Sequence, residues 1–204
     1  VDRDAFAQPD QAAISALKRQ YDLEGRFVIG YIGNHGWWAG MDFLLKAFSA
    51  FHEKMPDSRL LVVGPGEELA QYQTRYADEP AIIFTGPVPP AQVAAYFHAS
   101  NLGVLPFELS PFTHHALPLK ILEYGAAKKP VLASPLQELE TLQFPHVQLL
   151  PPLGAAGAFT GTFDRGLEPE VLIYRGSETP CASEGDAGCA PLVAHFTSAG
   201  AGAE

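Results

Sequence analysis

The sequence predicts a parallel α/β fold with six strands. Short apolar runs recur along the first 152 residues, at 27–33, 59–64, 81–86, 102–106, 130–134 and from 147, with helix-like stretches between them. The runs do not alternate apolar with polar residues, as expected when helices cover both faces of a sheet. Glycine or proline follows nearly every run, which marks a turn at the end of each strand.

Each element has its own signal. Asp10 is placed to cap a helix over QAAISALKRQY, with Ala13, Leu17 and Tyr21 as an apolar stripe. FVIGYIG at 27–33 is a buried strand entering a glycine turn. MDFLLKAFSAFHEKM at 41–55 is an amphipathic helix: Phe43 or Leu44, Ala47, Phe48 and Phe51 share a face, and Lys46, His52 and Glu53 lie elsewhere. RLLVVG and AIIFTG are the next strands, separated by a helix over 67–77, and AQVAAYFHA at 91–99 is a short helix. LGVLP is the fourth strand. PLKILEYGAAKK at 118–129 is a crossover helix with Pro118 in its first turn. PVLAS and VQLL complete the set.

The chain has 204 residues with 13 Lys+Arg against 23 Asp+Glu, a net charge of −10. That balance disfavours a broad electrostatic grip on nucleic acid or an anionic membrane. No window reaches the roughly 20 apolar residues of a transmembrane helix, and no signal-peptide pattern opens the chain. It begins with Val1 and no start-like features, which suits a fragment or a processed product. The expected division is a domain over 1–152 and an irregular Gly/Ala-rich tail over 153–204, with the residues after about 160 expected to be mobile. Lys129 is the last lysine, LIY and PLVAHF are isolated apolar islands, and Cys181 and Cys189 are the two cysteines. They cannot staple a chain this long, and suit a reducing compartment or a terminal segment whose redox state barely matters.

In an open parallel sheet, ligands bind outside the carboxyl ends of the strands. The loops of interest are therefore 33–40, 64–67, 86–90, 106–118 and 134–136. In the first, Gly30, Gly33 and Gly36 do not have the dinucleotide spacing, and no acidic residue stands at the ribose-binding position after the second strand, where VVGPGEE has glycine and proline first, which argues against a nicotinamide dehydrogenase. These glycines suit either ordinary turns or close approach of backbone to phosphate or sugar. Trp37 and Trp38 suit a core cap, a domain contact or a ligand contact. Glu67 and Glu68 suit the start of the following helix, and Asp42 suits a capping role.

The richest segment is PFELSPFTHHALPLKILEYGAAKKPVLAS. A helix starting near residue 117 would present free amides and a partial positive charge, with His114 and His115 in the approach loop and Lys120 and Glu123 on the helix. A diphosphate suits that end, and Glu123 suits vicinal ribose hydroxyls; an ordinary acid in a first helical turn is the plainer alternative. His98, His114, His115 and Glu123 have no HExxH or CxxC spacing, and Cys181, Cys189 and His195 match no zinc pattern, so no metal is expected. The chain has no GxSxG elbow.

Taken together, VDRDAF, GYIG, GMDFLLKAF, RLLVVGPG, IIFTGPVP, VAAYFHASNLGVLPF and PLKILEYGAAKKPVLAS resemble, over about residues 1–150, the C-terminal domain of a retaining glycosyltransferase of the two-Rossmann-domain (GT-B) architecture, family 4, group 1. The resemblance implies a Rossmann-like parallel six-stranded sheet, one half of a GT-B fold. It also implies transfer of a hexose from a UDP-sugar or GDP-sugar to a carbohydrate or lipid-linked acceptor, as in polysaccharide biosynthesis, with no further cofactor. The implied partner is an N-terminal acceptor domain on a separate or missing chain. The implied location is cytoplasmic, peripheral to the inner membrane through that domain.

The family's second glutamate falls on Glu123, which would hold the donor ribose, and its first falls on His115. Its arginine and lysine after the first strand, which grip the diphosphate, fall on Asn34 and Ala39. Ala116, Leu117, Pro118 and Leu119 match the segment facing sugar and phosphate. Gly86, Pro87 and Val88 match the turn facing the base, and Gly33 matches the point of close approach. His115 and Lys120 are the candidate diphosphate partners; no catalytic residue is assigned. Neutral Asn34 and Ala39 would leave the leaving group less stabilised, so the chain alone is expected to be weak or inactive. The alternatives are a non-catalytic nucleotide- or glycan-binding module and a nucleotide-sugar epimerase.

Overall fold

A computed structural model describes residue 6 and residues 10–149, together with the backbone of 160–163, 171–172 and 193–196. The cysteines, His195 as a side chain, and most of the 153–204 tail lie outside the described residues.

The predicted sheet is present. Strands β1 (Phe27–Ile32), β2 (Ser58–Val63), β3 (Ile82–Gly86), β4 (Leu102–Leu105), β5 (Val131–Ala133) and β6 (Val147–Leu149) are all parallel, in the order β3-β2-β1-β4-β5-β6. This is the doubly wound order, with its switch point between β1 and β4. Every residue of β1 and β4 is buried, which accounts for their unbroken apolar runs. Backbone strands β7 (Thr160–Phe163) and β8 (Val171–Leu172) flank β9 (Val193–Phe196) in a separate small sheet.

The helices are α1 (Gln11–Gln20), α2 (Met41–Lys54), α3 (Leu69–Arg75), α4 (Val93–Ala99), α5 (Pro111–His114), α6 (Lys120–Ala126) and α7 (Gln137–Leu142). Asp10 caps α1 as expected, accepting from the amides of Ala12 and Ala13 at 3.0 Å each. Its buried residues are Ile14 and Leu17, not Ala13, which is exposed. Ile14, Leu17 and Tyr21 follow a 3,4 spacing, and Tyr21 meets Tyr96 of α4 at 6.4 Å. On α2, Leu44, Ala47, Phe48 and Phe51 are buried together, joined by Met41 and Leu45.

Helix α6 crosses the switch point. Tyr124 is fully buried and its hydroxyl donates to the Gly30 carbonyl at 2.6 Å. The ring lies over Gly103, where a Cβ would come within 2.6 Å of it. Gly103 thus makes room for the ring and the Gly30 carbonyl anchors its hydroxyl, which fixes α6 on β1 and β4.

The helix begins at Lys120, later than expected. The Pro118 and Leu119 carbonyls already accept from Ile121 and Leu122 at 3.0 Å, so the residues before it form a tight turn. It ends early because Lys128 adopts φ 56°, with Lys128 N–H bonded to Gly125 O and Lys129 N–H to Tyr124 O. Lys128→Gly is expected to raise stability by about 1 kcal/mol, because glycine takes this left-handed position without a Cβ penalty; a urea melt checks it.

Candidate functional site

Six parallel strands bring their following loops to one end of the sheet. Backbone bonds then tie loop to loop. Gly33 N–H donates to Val63 O at 2.9 Å, His35 N–H to Pro65 O at 3.0 Å and Gly64 N–H to Gly86 O at 3.0 Å. Across the switch point, Glu108 N–H donates to Trp38 O at 2.8 Å. Gly40, at φ 62°, packs where a Cβ would strike the Pro106 carbonyl.

Lys120 and Glu123 meet at this end. Lys120 Nζ lies 2.6 Å from Glu123 Oε2, and the side chains are 32% and 16% exposed. The contact balances charge but lacks hydrogen-bond alignment, so Glu123 Oε2 is buried without a hydrogen-bond partner. The Lys120 stem passes beside Gly33, 3.8 Å from where a Cβ would stand, and its ammonium lies 5.7 Å from the Phe97 ring centroid. Three of the predicted residues are therefore gathered at the switch point: Gly33, Lys120 and Glu123.

The others are distributed around them. His115 is exposed and closes α5, a short helix not expected from the sequence. The Ala116 amide is taken by Thr113 O at 3.1 Å, whereas those of Leu117, Leu119 and Lys120 have no acceptor among the described residues. Pro118 is buried and Leu119 is 61% exposed. His114 turns aside: its Nδ1 accepts from Gln137 N–H at 3.3 Å, at the start of α7. At the end of β3 a bulge at Thr85 precedes Gly86. Gly86 O is occupied by Gly64 N–H and by the Thr85 hydroxyl at 2.8 Å, leaving exposed Pro87 and half-buried Val88 as the open part of that turn. Asn34 is exposed, with its carbonyl accepting from the Tyr31 hydroxyl at 3.0 Å, and Ala39 is fully buried.

His35 was not singled out by the sequence. It is 3% exposed and its Nε2 lies 3.2 Å from Gly64 O. The carbonyl only accepts, so Nε2 carries the proton, and Nδ1 is buried without a partner against Gly66. Burial lowers the pKa of His35 from its usual value, with the Gly64 bond opposing that shift; His98 is lowered as well, first by burial. The unfolded chain protonates first as pH falls. Stability is therefore expected to drop as pH descends from about 6.5 toward the folded-state pKa of each. Urea unfolding at several pH values checks this, and His35→Gln should flatten part of the slope.

Trp37, Trp38 and Phe112 form a second grouping. Trp37 and Phe112 lie 5.9 Å apart, Trp37 and Trp38 5.9 Å, and Trp38 and Phe112 6.2 Å. The sequence does not point to Phe112, because its helix is one turn long and has no periodicity. The signal that was present is the S-x-x-T cap, in which Thr113 N–H donates to Ser110 Oγ and Ser110 N–H to Thr113 Oγ1.

Among the described residues no three His, Cys, Asp or Glu side chains converge as a metal site, and no helix is long and apolar enough to cross a membrane. A groove of about 400 Å³ lies at α7 and β6, lined by residues such as Leu139, Phe144 and Leu149. None of the site candidates lines it.

The strand order and the gathering of loops at its switch point define a Rossmann-like domain, consistent with one half of a GT-B fold. The chain belongs to the family described as glycosyl transferases group 1, whose model matches residues 26–162. It is 34% identical over 131 residues to TuaH of Bacillus subtilis, which has a provisional assignment as a teichuronic acid biosynthesis glycosyltransferase. That match covers 61% of this chain and 31% of TuaH, so the chain spans about a third of that relative's length. Among solved structures, HepE of Anabaena, crystallised with UDP and glucose, superposes with a TM-score of 0.59 at 22% identity, covering 74% of this chain and 41% of that one. The C-terminal domain of LpcC, a group 1 glycosyl transferase of Francisella tularensis, gives 0.57 at 20% identity, covering 74% and 80%. These structural matches establish the fold.

Proposed function

We propose that this chain is the donor-binding half of a glycosyltransferase, moving a hexose from a nucleoside-diphosphate sugar, with retention, to a carbohydrate or lipid-linked acceptor. The carrying observation is the Lys120–Glu123 pair beside Gly33 at the switch point. An under-coordinated carboxylate suits two ribose hydroxyls. The adjacent ammonium suits a diphosphate and would offset the charge that develops as the sugar leaves. Base contact falls to Pro87 and Val88, and the free amides of Leu117 and Leu119 face sugar or phosphate, with His115 as a further charge partner.

Family membership and the HepE and TuaH matches support this reading, and the LpcC match supports placing the chain as a C-terminal half. An N-terminal domain would then bring the acceptor, in the cytoplasm and at the inner membrane surface. The donor domain is assigned to 1–152 and the tail to 153–204, although the family match continues to residue 162. The nucleotide can be UDP or GDP, and no cofactor beyond the donor is required.

A second reading has its own support. Buried Ala39 and neutral Asn34 leave the loop after β1 without a cation. That favours a module that binds a nucleotide or glycan without transferring it. Calorimetry of the chain with UDP, GDP and uridine tests the donor site. UDP or GDP is expected to bind, and Lys120→Met should weaken the diphosphate about tenfold, the scale of one charge-assisted contact, while leaving uridine unchanged. Equal weakening of both ligands would remove Lys120 from the phosphate site. No binding of any nucleotide would overturn the donor reading. A donor-hydrolysis assay separates transferase from binding module.

A further inference from the structure

We propose that Trp37 and Phe112 form a preformed platform on which a neutral pyranose ring stacks at the rim of this site; the proposal rests on the transferase reading above and extends it. Five large hydrophobic side chains are exposed among the described residues: Trp37, Phe112, Leu119, Leu122 and Leu142. The first four belong to the loop after β1 or to the segment that leads from β4 through α6. Exposed apolar surface is therefore concentrated where the strands of the switch point end, which marks an interaction site rather than scatter.

The platform is built before anything binds. Trp37 and Phe112 are each 63% exposed, with ring planes inclined at 43°. Half-buried Trp38 stands edge-on to Trp37, at 88°, and supports both rings. The base beneath is cross-linked by Glu108 N–H to Trp38 O, by the contact of Gly40 with Pro106, and by the reciprocal Ser110–Thr113 cap that holds the turn carrying Phe112. Two aromatic faces held this way lose little conformational freedom on binding.

The chemistry around the rings selects the occupant. A pyranose offers C–H groups on its faces and hydroxyls around its edge. The platform offers π-faces flanked by the exposed polar residues Asn34, Glu108 and His115 on the same two loops. Glu108, exposed and tied through its amide to Trp38 O, puts a carboxylate on the loop beside the rings, which suits hydroxyl donors and disfavours an anionic sugar, hence a neutral ring. The ring can belong to the donor's own sugar or to an acceptor glycan.

Trp37 and Trp38 are the only tryptophans in the chain, so indole fluorescence reports from this platform alone. The full chain is titrated with UDP, UDP-glucose, and the free neutral saccharides maltotriose, cellotriose and mannotriose. Platform-dependent binding of at least one saccharide-bearing probe is expected. Trp37→Ala and Phe112→Ala should each weaken it about tenfold, Trp37→Phe should retain most of it, and UDP affinity should not change. A platform effect on UDP-glucose alone identifies the donor's sugar; one on a free saccharide identifies an acceptor glycan. The proposal is overturned if no saccharide perturbs the indoles, or if the alanine variants bind saccharides like the parent. UDP binding without any platform-dependent saccharide sinks this inference alone, whereas loss of nucleotide binding in the parent chain sinks the reading beneath it. If Trp37→Ala alters only the sedimentation of the free chain, the surface is a self-association patch and the proposal fails.

Discussion

Gly40→Ala is expected to cost about 3 kcal/mol of folding stability, combining left-handed strain with an overpacked contact. The residue adopts φ 62° just before α2, and its missing Cβ leaves room for the Pro106 carbonyl at the end of β4. A side chain there meets rigid backbone, not a flexible tip. The variant should therefore also separate the loop after β1 from the loop after β4 and weaken the Glu108–Trp38 bond. Urea unfolding gives the stability, and indole emission reports the loops. A loss below about 1 kcal/mol would mean that the two loops yield easily and that the rim is not rigid.

Glu123→Ala is expected to reduce nucleotide affinity roughly ten- to a hundredfold, the scale of one hydrogen bond to a charged acceptor. Its side chain is largely buried on α6, one turn from the helix start, and Oε2 has only the Lys120 ammonium nearby. Removing the carboxylate should also leave Lys120 less restrained, so the loss ought to be larger for the ribonucleotide than for the 2′,3′-dideoxy form, which lacks the hydroxyl partners. Calorimetry with UDP and its dideoxy analogue makes the comparison. Unchanged affinity in a folded variant would take Glu123 out of the site. An equal loss for both analogues would assign it a positioning role for Lys120.

Much of the architecture was legible because buried parallel strands leave a strong local record. FVIGYI and RLLVV are apolar without alternation, and each is followed by glycine, so the strands and the end carrying the loops follow directly. Helix boundaries were less legible. Lys128 ends α6 without a glycine, and the turn at Pro118–Leu119 delays its start, because hydrogen bonds rather than composition decide such termini. Helices α5 and α7 are too short to show a period at all.

The site divides along the same line. Gly33, Lys120 and Glu123 could be named from the sequence, since their positions at a strand end and a helix start follow from the order of elements. Their meeting, and the burial of Glu123 Oε2 with an ion-pair partner but no hydrogen bond, could not be foreseen, because these depend on how α6 is seated by Tyr124 against Gly30 and Gly103. The burial of His35 beneath the second loop and the joining of Trp37 to Phe112 across 75 positions are likewise tertiary. The sequence by itself determined which residues are strands, which end of the sheet carries the loops, and the family resemblance. Only the tertiary structure decided which loop residues touch, because contacts between distant segments arise from close packing of the whole core and leave no periodic trace along the chain.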